Sequence, residues 1–439
     1  DRRVAAVVLS NEESSEYAKL YHPYVYEDFK KFAPALPLDD FFQAILGQEP
    51  DKVIVDEERF WQAADQFYSE EAWPLLKATL ILAVVNLSTS YLTDEIRVLS
   101  GAYGRALSGV PEAQDKVKAA YHLAQGPFKQ ALGLWYAHEK FSPEAKADVE
   151  KKVATMIDVY KERLAKNDWL TPETRDKAIV KLNVIKPYIG YPEELPERYK
   201  DKVVDETASL FENALAFARV EIKHSWSKWN QPVDYKEWGM PAHMVNAYYN
   251  PQKNLIVFPA AILQAPFYDL HQSSSANYGG IGAVIAHEIS HAFDTNGASF
   301  DENGSLKDWW TESDYAAFKE KTQKVIDQFD GQESYGATIN GKLTVSENVA
   351  DLGGIAAALE AAKREPDFSA EEFFHNFARI WRMKGRPELM KLMASVDVHA
   401  PAKLRVNVQV PNFDDFFTTY DVKEGDGMWR SPEDRVIIW

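Results

Sequence analysis

The sequence predicts a mainly helical fold of the α+β class in two parts, a helical domain over residues 1–218 and a second domain with a small sheet over 219–439. Three observations predict it. Apolar residues recur at three- and four-residue spacing through much of the first half. Around Lys223 to Met240 the composition turns aromatic and irregular, with Trp226, Trp229, Tyr235 and Trp238 among Pro232 and Gly239, as at a domain junction. Beyond it lies His287-Glu288-Ile289-Ser290-His291, two imidazoles at i and i+4 with a carboxylate between them.

Composition narrows the possible functions. The chain has 439 residues, 46% hydrophobic and 26% charged, enough for two or three domains and a large core. A net charge of −18 argues against nucleic acid or an anionic membrane surface as a partner. No Walker-type or G-x-G-x-x-G loop is present, so phosphate-rich ligands are not expected. Zero cysteines exclude disulfides, cysteine-ligated zinc and a thiol nucleophile, so any metal site must be built from His, Asp and Glu. The apolar run Leu80 to Val85 is too short to span a bilayer, and with Lys77, Thr79 and Asn86 beside it a core helix is expected and no transmembrane segment. The chain opens at Asp1 with neither an initiator methionine nor a signal peptide, and it reads as a fragment of a longer product.

In chain order, helices are expected over Phe60 to Tyr68, Leu75 to Leu87, Ala113 to Leu134 and Pro143 to Leu164. Ser142-Pro143-Glu144 and Thr171-Pro172-Glu173 each combine an N-cap, a proline in the first turn and an acidic residue, so they mark helix starts. This half offers no histidine pair or nucleophile and reads as scaffold. Asn246 to Pro251 reads as a turn, and Asn254 to Pro259 as a short edge strand ended by proline. An edge strand beside a metal helix can pair with an extended peptide, although Asn246 taken alone reads first as a turn residue.

The chemistry concentrates in two stretches. At 3.6 residues per turn His287 and His291 share a helix face, and Glu288 lies about a quarter-turn around. Imidazoles suit Zn²⁺, which acidifies water, and Glu288 is placed to take the proton. The preceding Asn277 to Ala286 is almost all apolar or glycine, which marks a buried helix. Two histidines need a third ligand, and Glu347-Asn348-Val349-Ala350-Asp351 puts two carboxylates on one helix face. Glu347 suits the metal, and Asp351 the outer N–H of a ligating histidine. Thr344 to Glu347 also reads as a capping box, which leaves a competing role for Glu347. After Asp397-Val398-His399, the alternation of Val406, Val408 and Val410 with Arg405, Asn407 and Gln409 predicts a half-buried strand. Spacing alone singles out neither His399 nor His22, His122, His138, His224, His243, His271 and His375.

Together these stretches resemble the neprilysin family of zinc endopeptidases, most closely its bacterial oligopeptidase branch, the PepO type. The matching residues are Asn246 to Tyr249, Ile256 to Ala260, Ile262 to Gln264, Asn277 to Gly282, His287 to His291, Asp308 to Trp310, Glu347 to Asp351, Asp397 to His399 and Arg435 to Trp439. The resemblance implies a zincin-like catalytic domain over 219–439 and a large all-helical domain enclosing a cavity. It implies one zinc per chain on His287, His291 and Glu347, with Glu288 as general base and Asp351 behind a histidine. His399 would donate to the oxyanion, oriented by Asp397. Asn246 and the Ala247 backbone would hold the peptide, and Arg405 a substrate carbonyl. Ile262, Phe267, Val284, Ile380 and Trp381 would line a pocket for the residue after the cleaved bond. The expected activity is cleavage of short peptides on the amino side of bulky hydrophobic residues. A further N-terminal segment of the same protein is expected as a partner, and the cysteine-free chain suits the bacterial cytoplasm, with the cell surface or secretion as alternatives. Two other readings compete: a non-catalytic binding or adhesion protein stabilised by the metal, and an exopeptidase of another zinc family.

Overall fold

The computed structural model describes residues 2–439. The chain forms two compact units, Asp1–Phe128 with Pro196–Asp234, and Lys129–Leu195 with Tyr235–Trp439. In the first unit an antiparallel ribbon, β1 (His22–Val25) with β2 (Lys52–Val55), closes a small core of Tyr26, Phe29 and Val55. The rest of this unit is mainly short helices, and its longest apolar element is α1 (Trp73–Ser88). The core helix expected at Leu80 to Val85 is not buried. Leu80, Ile81, Leu82, Val84 and Val85 all face solvent. The apolar stretch is also longer than that run. Trp73–Tyr91, 19 residues of mean hydropathy 1.3, is long and apolar enough to cross a membrane by length and composition.

The helix expected over Ala113 to Leu134 is broken into Lys116–Gln125 and Lys129–Lys140 by a tight turn at Gly126–Phe128. Pro127 has no N–H for a continuing ladder, and the chain passes between units here. At Phe60 to Tyr68 the helix is likewise short, Glu58–Gln62 followed by one tight turn. The packing therefore divides the chain differently from the boundary expected at 218/219, because residues 129–195 join the second unit. The reason lies in α2 (Pro143–Lys166), capped by Ser142 as expected. Its Val149, Val153, Met156, Val159, Tyr160 and Leu164 are buried in the same core as the histidine helix, and Tyr160 Oη donates to the Ala286 carbonyl at 3.0 Å. Helix α3 (Pro172–Asn183), capped by Thr171, follows.

Three strands form a sheet: β3 (Lys186–Gly190), β4 (Tyr248–Asn250) and β5 (Leu255–Pro259). Their order is β3-β5-β4, with β5 parallel to β3 and antiparallel to β4. The strand expected at the edge is thus the central one, buried along its length, and β4 is the edge. Its second neighbour comes from far earlier in the chain, and Pro259 is tolerated because it is the last residue of the strand.

Helix α4 (Ala283–Ser290) continues from a wide π-type turn at Tyr278–Gly282, and every one of its residues is buried. It packs against α5 (Val345–Ala362). The approach is close because of Gly353 and Gly354. A Cβ on Gly354 would lie 2.8 Å from the His287 main-chain nitrogen, and one on Gly353 would lie 2.2 Å from Ser290 Oγ. Helix α6 (Ala370–Ile380) covers the π-type turn. Residues 404–410, expected as a strand, instead form α7 (Ala402–Asn407) and the turn after it. Leu404, Arg405, Val408 and Gln409 are buried, which is helical spacing, whereas valines at every second position mimicked a strand. At the C-terminus Trp439 packs among Trp169, Phe293, Trp310 and Phe318, and Trp169 Nε1 donates to the Ile438 carbonyl at 2.8 Å.

Candidate metal centre

Helix α4 presents His287 and His291 on one face, their Nε2 atoms 3.0 Å apart. Helix α5 brings Glu347 to them, with Oε2 at 3.2 Å from His287 Nε2 and 3.5 Å from His291 Nε2. The capping-box alternative fails, since Thr344 is the N-cap but its side chain bonds back to Asn340 and makes no cap. Glu347 Oε2 is buried and lacks a hydrogen bond of good geometry, although three imidazole nitrogens surround it, the third being His399 Nε2 at 3.2 Å. A buried carboxylate oxygen left without a hydrogen bond, facing two helix-borne imidazoles, is what a cation would satisfy. Two imidazoles and one carboxylate form the donor set of a zinc site with an open position, so these residues fit Zn²⁺.

Each histidine is held from behind. His287 Nδ1 contacts Asp351 Oδ1 at 2.8 Å, and Asp351 is gripped in turn by Arg405, whose Nε and Nη2 reach it at 2.7 and 2.6 Å. His291 Nδ1 contacts Asp294 Oδ2 at 2.5 Å. Sequence reasoning did not single out Asp294, which lies in the turn after the helix. Its available signal was an acidic residue one turn after a candidate ligand histidine, in the turn-forming Asp-Thr-Asn-Gly. Ser346, also missed, donates to the same carboxylate oxygen at 2.6 Å.

The electrostatics favour positive charge at this point. Burial opposes protonation of His291, yet Glu347 and Asp294 hold its pKa well above the ordinary imidazole value. Burial pushes the Glu347 carboxyl up, but His291 and His399 pull it well below the usual range. Asp351 resists burial likewise and sits at about 2, mainly because of Arg405. Glu288 differs. It is 6% exposed, carries no hydrogen bond or ion pair among the described residues, and burial pushes its carboxyl up. A carboxyl raised towards neutrality can both accept and return a proton.

His399 is brought to the site, with Nε2 on Glu347 and Nδ1 on Asp397 Oδ1 at 2.8 Å. Arg405 is not free to meet a ligand with its whole guanidinium. It is buried, paired with Asp351, and covered by the Trp381 ring at 3.7 Å. Asn246 is exposed just before the edge strand β4, with its side-chain oxygen accepting the Ala247 N–H at 2.9 Å. A cavity of about 420 Å³ is lined by Phe267 and Ile380 together with Ala265, Pro266, Arg379 and Arg382. Ile262, Val284 and Trp381 are not part of its lining, and Ile262 and Val284 are buried.

The family models for peptidase family M13 match residues 1–192 and 246–436. A Streptococcus gordonii protein, named for a zinc metalloproteinase in the scaA 5′ region, is 78% identical over 373 residues, 85% of this chain and 66% of that protein. A neutral endopeptidase of Lactococcus lactis is 50% identical over 98% of this chain and 68% of its own length. Among solved structures, PepO of Lactobacillus rhamnosis superposes with a TM-score of 0.93 at 37% identity, over all of this chain and 70% of that one. Zinc metalloprotease Zmp1 of Mycobacterium tuberculosis gives 0.92 at 30%, over 100% and 69%. The chain thus spans about two thirds of the length of these relatives. With a mainly helical zincin fold, this donor set and matches along both halves, the chain belongs to peptidase family M13, the neprilysin-like metallopeptidases, whose cofactor is zinc.

Proposed function

We propose that this chain carries the catalytic centre of a zinc endopeptidase that hydrolyses short peptides on the amino side of bulky hydrophobic residues. The observation that carries the reading is the buried, unpaired Glu288 beside the convergence of His287, His291 and Glu347. Zn²⁺ bound by these three would supply Lewis acidity, making water easier to deprotonate and the scissile carbonyl easier to attack. Glu288 accepts the proton of the attacking water and passes it to the departing amine. His399 donates from Nε2 to the oxygen on which negative charge develops. Because Nδ1 is committed to Asp397, only the imidazolium of His399 has a proton at Nε2, and its pKa fits the task. Burial disfavours the cation, but Glu347 and Asp397 raise it to about 9.

The exposed position of Asn246 at the start of the edge strand supports a role in holding an extended peptide backbone. Phe267 and Ile380, which share a cavity with Arg379 and Arg382, support a pocket with an apolar side for the residue after the cleaved bond. The pairing of Arg405 with Asp351 supports a role in fixing His287, with any contact to a substrate carbonyl made by what the pair leaves over. A chain without cysteine needs no oxidising compartment, which favours the cytoplasm.

Replacing Glu288 by Gln keeps the shape and removes the base. With zinc still bound at one equivalent, kcat on a blocked peptide is expected to fall by about 10²–10⁴. Wild-type turnover in that variant would remove Glu288 as the base, whereas no chelator-sensitive cleavage by the unaltered protein would leave the metal-stabilised binding protein as the alternative.

A further inference from the structure

Lys181, in the last turn of α3, is 1% exposed and lies in the core of the second unit. An ammonium there is costly, and burial lowers its pKa to about 7. Its three N–H donors go to main-chain carbonyls, those of Ala292 at 2.8 Å, Gly297 at 2.8 Å and Phe300 at 2.6 Å. The rings of Tyr249, Phe293 and Trp309 surround it at 5.6 to 5.9 Å. For packing alone an apolar side chain of the same length would serve at less cost, so what the ammonium adds is the gathering of three carbonyls.

All three carbonyls belong to the segment that follows α4, and that segment carries Asp294. Asp294 Oδ1 accepts the N–H groups of Asn296 at 2.8 Å and Gly297 at 2.6 Å, while Oδ2 faces His291 Nδ1. The Gly297 residue is therefore clamped on both sides, its N–H by Asp294 and its carbonyl by Lys181. Without the ammonium the three carbonyls would repel one another in a dry core, the turn would open, and Asp294 would lose its fixed distance to the histidine.

We infer that Lys181 is a positioning residue for the metal centre, fixing the turn 292–300 so that Asp294 holds His291 in its ligating orientation. The inference rests on the zinc site proposed above.

The test is zinc affinity of the full-length protein, measured by competition with a chromophoric chelator, for K181M, D294N and the double variant. Loss of a partner behind a metal ligand weakens binding by about 10- to 100-fold. D294N should show that loss, K181M about a tenfold loss, and the double variant no more than D294N alone, since both act along one path. K181Q keeps two N–H donors and should lie between wild type and K181M. Wild-type affinity in K181M and K181Q, or losses that multiply in the double variant, would overturn the inference. So would failure of both Lys181 variants to fold with zinc in excess, which would make Lys181 a general core residue. H291A separates the two readings: if it binds zinc as tightly as wild type, the metal site itself is wrong, whereas loss in H291A with no loss in K181M defeats the Lys181 role alone.

Discussion

Helices α1 and α4 are both strongly apolar, yet they differ in burial and in chemistry. In α4 every side chain is buried, and its two ionisable ones, His287 and Glu288, are both proposed for the reaction. In α1 the valines and all leucines but Leu76 face solvent, and no ionisable residue beyond Lys77 lies within it. Apolarity in α4 thus provides a dry, rigid frame in which a histidine or glutamate has a shifted proton affinity. Apolarity in α1 provides an uncovered surface, in a chain that spans about two thirds of its relatives' length.

The contrast can be broken by equivalent truncations. Ile285→Ala removes a fully buried side chain from α4 and should destabilise the second unit by about 2–5 kcal/mol, read from urea unfolding. A middle-sized effect is expected at His399. Its pKa is raised, so the donor is present at neutral pH and is lost as pH rises through about 9. Asp397→Asn removes one cause of that rise, and the alkaline limb of kcat should move down by about one pH unit. An unmoved limb would assign the limb to another group. The smallest effect belongs to α1. Leu82→Ala, at a side chain 59% exposed, should change stability by less than about 0.5 kcal/mol in this chain. A loss comparable to that at Ile285 would show that α1 is covered and erase the contrast.

What the sequence revealed followed the range of each interaction. His287 and His291, and likewise Glu347 and Asp351, are legible because one helical turn places each pair on a common face, and Glu288 because it lies about a quarter-turn around from the histidines. The caps at Ser142 and Thr171 are legible because a cap is local. Glu347 meets the histidines only because Gly353 and Gly354 let two helices approach closely, a contact that spacing does not encode. The central place of β5 depends on β3, about 65 residues earlier, so proline at its end suggested an edge. Valines at 406, 408 and 410 mimicked a strand because a short apolar alternation does not distinguish the two periods. Lys181 on its predicted helix looks like a solvated lysine, and the carbonyls that its ammonium meets lie more than a hundred residues away.

In the proposed site two imidazoles and one carboxylate hold the zinc while the third imidazole, His399, remains free to donate. Three imidazole nitrogens lie within 3.5 Å of Glu347 Oε2, so this arrangement is open to direct measurement. X-ray absorption at the zinc edge of the loaded protein counts ligating imidazoles through their outer-ring scattering. Two imidazoles and oxygen donors at about 2.0–2.2 Å are expected, unchanged in His399→Ala. Three imidazoles, falling to two in that variant, would contradict this arrangement.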